Sequence, residues 1–135
     1  MPPNEGHEAA GPAGTIEARV EDPLPVGAAR RVIGVVCHPH PLYGGTMQNK
    51  VVHTLARCAQ DQHVTSLRFN FRGVGASAGV YDNGVGETDD AAAVVDWCRK
   101  ELGVARLWSL GFSFGSFVAR RAAIAAMTQP ISAAS

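Results

Sequence analysis

Apolar and polar residues alternate through Thr15-Ile16-Glu17-Ala18-Arg19-Val20, the pattern of a strand with one face on a core. This stretch reads as a half-exposed edge strand. The run Arg31-Val32-Ile33-Gly34-Val35-Val36-Cys37 is apolar almost throughout and rich in β-branched residues, which suits a strand covered on both faces. Val64 to Phe71 and Val104 to Leu110 read as two further strands. Between the strands the spacing becomes helical. Met47, Val51, Val52, Leu55 and Cys58 recur on one face, with Thr46 placed to cap it. Glu87 to Lys100 reads as a second helix: Thr88 is its expected cap, and Val94, Val95, Cys98 and Leu102 form its stripe. Glu87, Asp89 and Asp90 crowd its positive end, Arg99 and Lys100 its negative end, and Gly103 stops it. Ser116 to Ala126 reads as a third helix, which Pro130 would end.

Strands alternating with helices imply right-handed βαβ units. The fold class expected is α/β: three layers, helix on sheet on helix, with an open, mostly parallel, doubly wound sheet. Met1 to Gly14 is rich in Pro, Gly, Ala and Glu and is expected to be disordered, which leaves 15–135 as a single domain. Asp22 to Gly27 reads as a loop by its breakers.

Twelve basic and twelve acidic residues in 135 leave no formal net charge, so electrostatics gives no case for nucleic acid or an anionic membrane. No apolar run reaches membrane-spanning length, and the first residues lack the pattern of a signal peptide. Cys37, Cys58 and Cys98 are odd in number and form no CxxC, so buried, reduced thiols in a cytoplasmic protein are expected.

In open α/β sheets the active cleft lies beyond the carboxyl ends of the strands. Three loops leave strands at that end. The last holds Gly111-Phe112-Ser113-Phe114-Gly115, a G-x-S-x-G between a strand and a helix. Ser113 on so sharp a turn would be strained and presented outward, and the helix behind it would aim its first amides at the site. Gly111 and Gly115 would be required where a Cβ would strike neighbouring backbone. An oxyanion there needs two N–H donors: the amide of Phe114, and one from His38-Pro39-His40-Pro41-Leu42-Tyr43-Gly44-Gly45, either Leu42 or Tyr43. His38 and His40 lack a third ligand apart from Cys37, so they are read as imidazoles bracing the loop rather than as a metal site. The middle loop, Arg72-Gly73-Val74-Gly75-Ala76-Ser77-Ala78-Gly79, places its third glycine one residue late for a dinucleotide fingerprint. It reads as a close-packed turn with Arg72 hydrogen-bonded to neighbouring loops.

With Phe69-Asn70-Phe71 and Thr46-Met47 added, these three motifs resemble the α/β-hydrolase superfamily, and within it a bacterial branch of small, lidless, esterase-like serine hydrolases. The resemblance covers about Thr15 to Met127. It implies Ser113 as nucleophile and Phe114 N–H with Leu42 N–H, before Tyr43 N–H, as the oxyanion hole. It also implies no cofactor, and an acyl-enzyme route on a small-molecule carboxylic ester, thioester or amide.

The pattern departs from the family after Ser113, where no His, Asp or Glu follows. Family members supply the triad acid and histidine from loops after further strands. Of the five histidines, only His38 and His40 lie in a loop at the correct edge, and His40 is the one conceivable borrowed base. The chain is therefore expected to be an N-terminal portion of such a hydrolase, inactive alone, with its elbow strand left as an edge open to self-association. The alternative is a non-catalytic, hydrolase-like binding protein.

Overall fold

The computed structural model describes residues 5–23, 32–104 and 106–128. Five strands form one sheet: β1 (Glu5–Gly11), β2 (Gly14–Glu21), β3 (Val32–Cys37), β4 (Thr65–Phe69) and β5 (Arg106–Gly111), in spatial order β1-β2-β4-β3-β5. The helices are α1 (Lys50–Asp61), α2 (Val85–Glu101) and α3 (Phe114–Thr128), with a single 3-10 turn at Pro41–Tyr43. β4, β3 and β5 run parallel, whereas β1 and β2 join antiparallel, so the sheet is mixed.

β3 shows why the continuous apolar run is a central strand. Ile33, Val35 and Cys37 face the core shared with α2 and α3, while Val36 packs against Val52 and Ala56 of α1 on the other side. Three layers result, with α1 on one face of the sheet and α2 with α3 on the other.

The N-terminal stretch corrects the expectation of disorder. Residues 5–11 form β1, paired with β2 from Glu5↔Val20 to Gly11↔Gly14. Its composition is poor in large apolar residues, yet a hairpin partner supplies its backbone bonds, Ala9 is buried, and His7 lies against Trp97 of α2. β2 is consequently not an edge strand. Its alternation survives, with Ile16, Ala18 and Val20 buried. Residues 1–4, 24–31, 105 and 129–135 lie outside the described residues. With them go most of the expected loop at 22–27 and Pro130.

Helix starts also differ. Asn49 caps α1, its Oδ1 accepting from Val51 N at 2.8 Å, while Thr46 Oγ1 accepts only from Gln48 N. Starting at residue 50 turns Val52, Ala56 and Ala59 to the core, and leaves Val51 and Cys58 exposed. The expected stripe had missed the alanines, whose small size lets α1 close on Gly34: a Cβ there would sit 3.4 Å from the Ala59 methyl. α2 starts at Val85, behind Gly84 in the left-handed conformation (φ 88°). Thr88 does not cap it. Its hydroxyl donates back to Gly84 O, and the buried Glu87 carboxylate accepts from Asp82 N and Gly84 N, each at 2.9 Å.

Candidate active site

β5 ends at Gly111 and α3 begins at Phe114, so two residues make the whole turn. Ser113 takes up the left-handed conformation, φ 58°, which costs a non-glycine residue roughly 1–2 kcal/mol. The two glycines explain how the turn is held. A Cβ on Gly111 would lie 2.5 Å from Gly115 O, and one on Gly115 would strike the Cys37 and His38 backbone, with His38 O at 2.5 Å. The turn is thus seated backbone-on-backbone against the end of β3. Gly115 N donates to Phe112 O and Ser116 N to Ser113 O, each at 3.0 Å. Phe114, as first residue of α3, has no intrahelical acceptor for its N–H. The Ser113 side chain is exposed, and no described side chain hydrogen-bonds its hydroxyl.

The loop after β3 is organised by its two histidines. His38 is fully buried; its Nδ1–H donates to Pro39 O at 2.7 Å and its Nε2 accepts from Phe71 N at 3.0 Å. Burial pushes its pKa down from 6.5 to about 4, against the opposing pull of the Pro39 carbonyl, so the ring is neutral at pH 7. His40 Nδ1 accepts from Leu42 N at 3.2 Å, which leaves its Nε2–H to donate to Tyr81 OH at 3.0 Å. Its ring also rests against Tyr43, Tyr81 and Phe114, with centroids 4.7, 5.0 and 4.8 Å away. Both ring nitrogens are therefore engaged, and neither bonds Ser113. Tyr43 N and Gly45 N both donate to His40 O, at 3.1 and 3.0 Å.

The loop after β4 is tied down by buried polar groups that sequence reading missed. Arg72 does not bond neighbouring loops as expected. Its guanidinium forks onto the buried Asp90 carboxylate of α2 (Nη2–Oδ1 2.8 Å, Nε–Oδ2 3.1 Å), and its N–H adds a third bond to Oδ2. The bond to Asp90 raises the Arg72 pKa above its ordinary value. Asn70 Oδ1 accepts from Met47 N at 2.8 Å, and its Nδ2 donates to Glu17 Oε1 at 2.7 Å, joining the loops after β3 and β4 to β2. A Cβ at Gly75 would approach that Asn70 Nδ2 to 2.5 Å, which gives this glycine its reason. An asparagine closing a strand before glycine-rich sequence was the available signal. Asp90 and Glu87 were read as helix-end charges, since helical position alone does not reveal burial.

Burial also raises the Cys37 and Cys98 thiols to about 12, so neither serves as a nucleophile at pH 7. Cys58 is exposed, against the expectation that all three would be buried. Among the described residues no group of three or more His, Cys, Asp or Glu could hold a metal ion, and no helix is long and apolar enough to cross a membrane.

A strained serine between a parallel strand and a helix, flanked by glycines without room for a side chain, is the decisive local geometry. The model of the α/β hydrolase fold family matches residues 35–134. The chain belongs to the α/β hydrolases. This α/β hydrolase chain superposes on an α/β serine hydrolase homologue from Coxiella burnetii with TM-score 0.84 and 44% identity, over 91% of this chain and 58% of that one. A lidless α/β serine hydrolase from Xanthomonas campestris gives 0.85 and 44%, over 93% and 58%. An uncharacterised protein of Rickettsia prowazekii is 47% identical over 110 residues, 81% of this chain and 45% of that protein. The chain thus spans about half the length of the proteins it matches.

Proposed function

We propose that the chain carries the nucleophile half of a serine hydrolase acting on a small carboxylic ester, thioester or amide, with Ser113 as nucleophile. Ser113 Oγ attacks the acyl carbon while its proton passes to a base. The carbonyl electron pair moves onto oxygen, and collapse expels the leaving group to give an acyl-enzyme that water hydrolyses. Phe114 N–H and Leu42 N–H are the oxyanion donors. Leu42 is preferred to Tyr43 because the Tyr43 amide is spent inside the turn on His40 O, whereas the Leu42 amide meets only a side chain. The base and the acid that orients it are assigned to residues beyond 135, as the matched proteins are longer. The observation that carries this reading is the left-handed Ser113 at the head of α3, wedged by Gly115 against the end of β3.

The test is labelling with a fluorophosphonate probe, in the 135-residue chain and in a chain extended to the length of its relatives, each beside Ser113→Ala. Labelling confined to Ser113 in the extended chain is expected. An extended, folded chain that stays unlabelled would leave the second reading, a non-catalytic binding protein.

A further inference from the structure

Three amides of the 40–45 turn converge on one residue. Tyr43 N and Gly45 N donate to the His40 carbonyl and Leu42 N donates to the His40 ring. The first two bonds define the turn and cannot open without undoing it. Gly45 sits against the His40 carbonyl with no room for a side chain, since a Cβ there would lie 2.7 Å from His40 O. The third bond is different. At 3.2 Å it is longer than the usual 2.9–3.0 Å of an N–H donor, and its acceptor sits on a side chain. That side chain is held from behind, because its Nε2–H is donated to Tyr81, on the segment leading into α2. It also packs on Phe114, whose own amide is the other oxyanion donor.

We infer that His40 is a positioning residue, whose imidazole occupies the Leu42 N–H in the resting site and yields it to the oxyanion when substrate arrives, with Tyr81 as the anchor that keeps the ring in place. This rests on the proposed roles of Ser113 and Leu42. An anionic oxygen is a stronger acceptor than a neutral imidazole, so the exchange runs toward the tetrahedral intermediate. The arrangement also fixes a tautomer. With Nδ1 accepting, the ring proton is on Nε2, so His40 enters the reaction as an acceptor and not as a base for Ser113.

The experiment is nitrogen-15 NMR of the chain extended to the length of its relatives, with and without phenylboronic acid. The Ser113 oxygen gives an electron pair to boron as its proton leaves to solvent, which yields a tetrahedral anionic adduct. The free chain should show a coupling between Leu42 N and His40 Nδ1 across the hydrogen bond, with the ring proton on Nε2. Addition of boronate should abolish the coupling and shift the Leu42 amide, and Ser113→Ala should keep it intact. Tyr81→Phe retains the aromatic contact and lacks only the hydroxyl. It loosens the competing imidazole, so it should diminish the coupling in the free chain and strengthen boronate binding by about 2- to 10-fold, the worth of one ordinary hydrogen bond. A free chain without the coupling, or a Ser113 adduct in which it persists, overturns the latch while leaving the nucleophile standing. Failure of boron to add to Ser113 overturns both.

Discussion

Replacing His38 with alanine removes the ring nitrogen that accepts from the Phe71 amide, in a region where both residues are fully buried. An orphaned buried N–H costs about 1–3 kcal/mol. The T-shaped contact between the His38 and Phe71 rings, with centroids 4.6 Å apart, contributes about 0.5–1.5 kcal/mol more. A loss of about 3 kcal/mol is therefore expected, read at pH 7 by urea unfolding followed through Trp97 and Trp108 fluorescence. His38→Gln, which can offer an oxygen to Phe71 N, should recover part of it. The wild type carries a pH signature as well. His38 binds its proton at about 4 when folded and at 6.5 when unfolded, so between these values the unfolded chain holds more protons. The His38 contribution is then complete above pH 6.5 and is lost as pH falls toward 4, amounting to about 3 kcal/mol. His38→Gln should flatten that part of the stability profile. A His38→Ala chain within about 1 kcal/mol of wild type would refute the reasoning, as would a Gln variant with an unchanged profile between pH 6.5 and 4.

Gly115→Ala should unseat the elbow, because its Cβ would meet the Cys37 and His38 backbone, which has no flexible side chain to yield. A destabilisation of about 1–3 kcal/mol or more in urea unfolding, with loss of fluorophosphonate labelling in the extended chain, is the expected result. Ser113→Gly should move the opposite way on stability. It releases a left-handed serine and so raises the unfolding free energy by about 1 kcal/mol, seen as a higher urea midpoint, while abolishing labelling. A lower midpoint would mean that Ser113 is not strained.

The parts of the fold set by long-range hydrophobic period were readable from the chain. β3, with its unbroken run, and β2, with its clean alternation, came out on the expected faces. Parts set by partners were not readable. β1 has almost no hydrophobic signal and exists because β2 completes its ladder. The start of α1 depends on which of Thr46 and Asn49 reaches the first free amides, a choice made by backbone geometry. At the site, Ser113 and its glycines were legible because sterics leaves few other residues for that turn. The assignment of Leu42 over Tyr43 rests on which amide the 3-10 turn consumes. Arg72, Asp90, Asn70 and Glu17 look like surface polar residues in sequence, and only the approach of distant segments makes them partners.

The seating of Gly115 on Cys37 and His38 has a consequence for the order of assembly. Those residues are far apart in the chain, and contacts of large sequence separation pay their loop-closure entropy before they return any stability. The β2–β4 and β3–β4 pairings can form without the elbow, but the elbow has no mould until the end of β3 is in place. Ser113 should therefore be among the last residues to reach its final conformation during refolding. Its reactivity would then serve as a clock for the final step of folding, lagging behind the recovery of secondary structure.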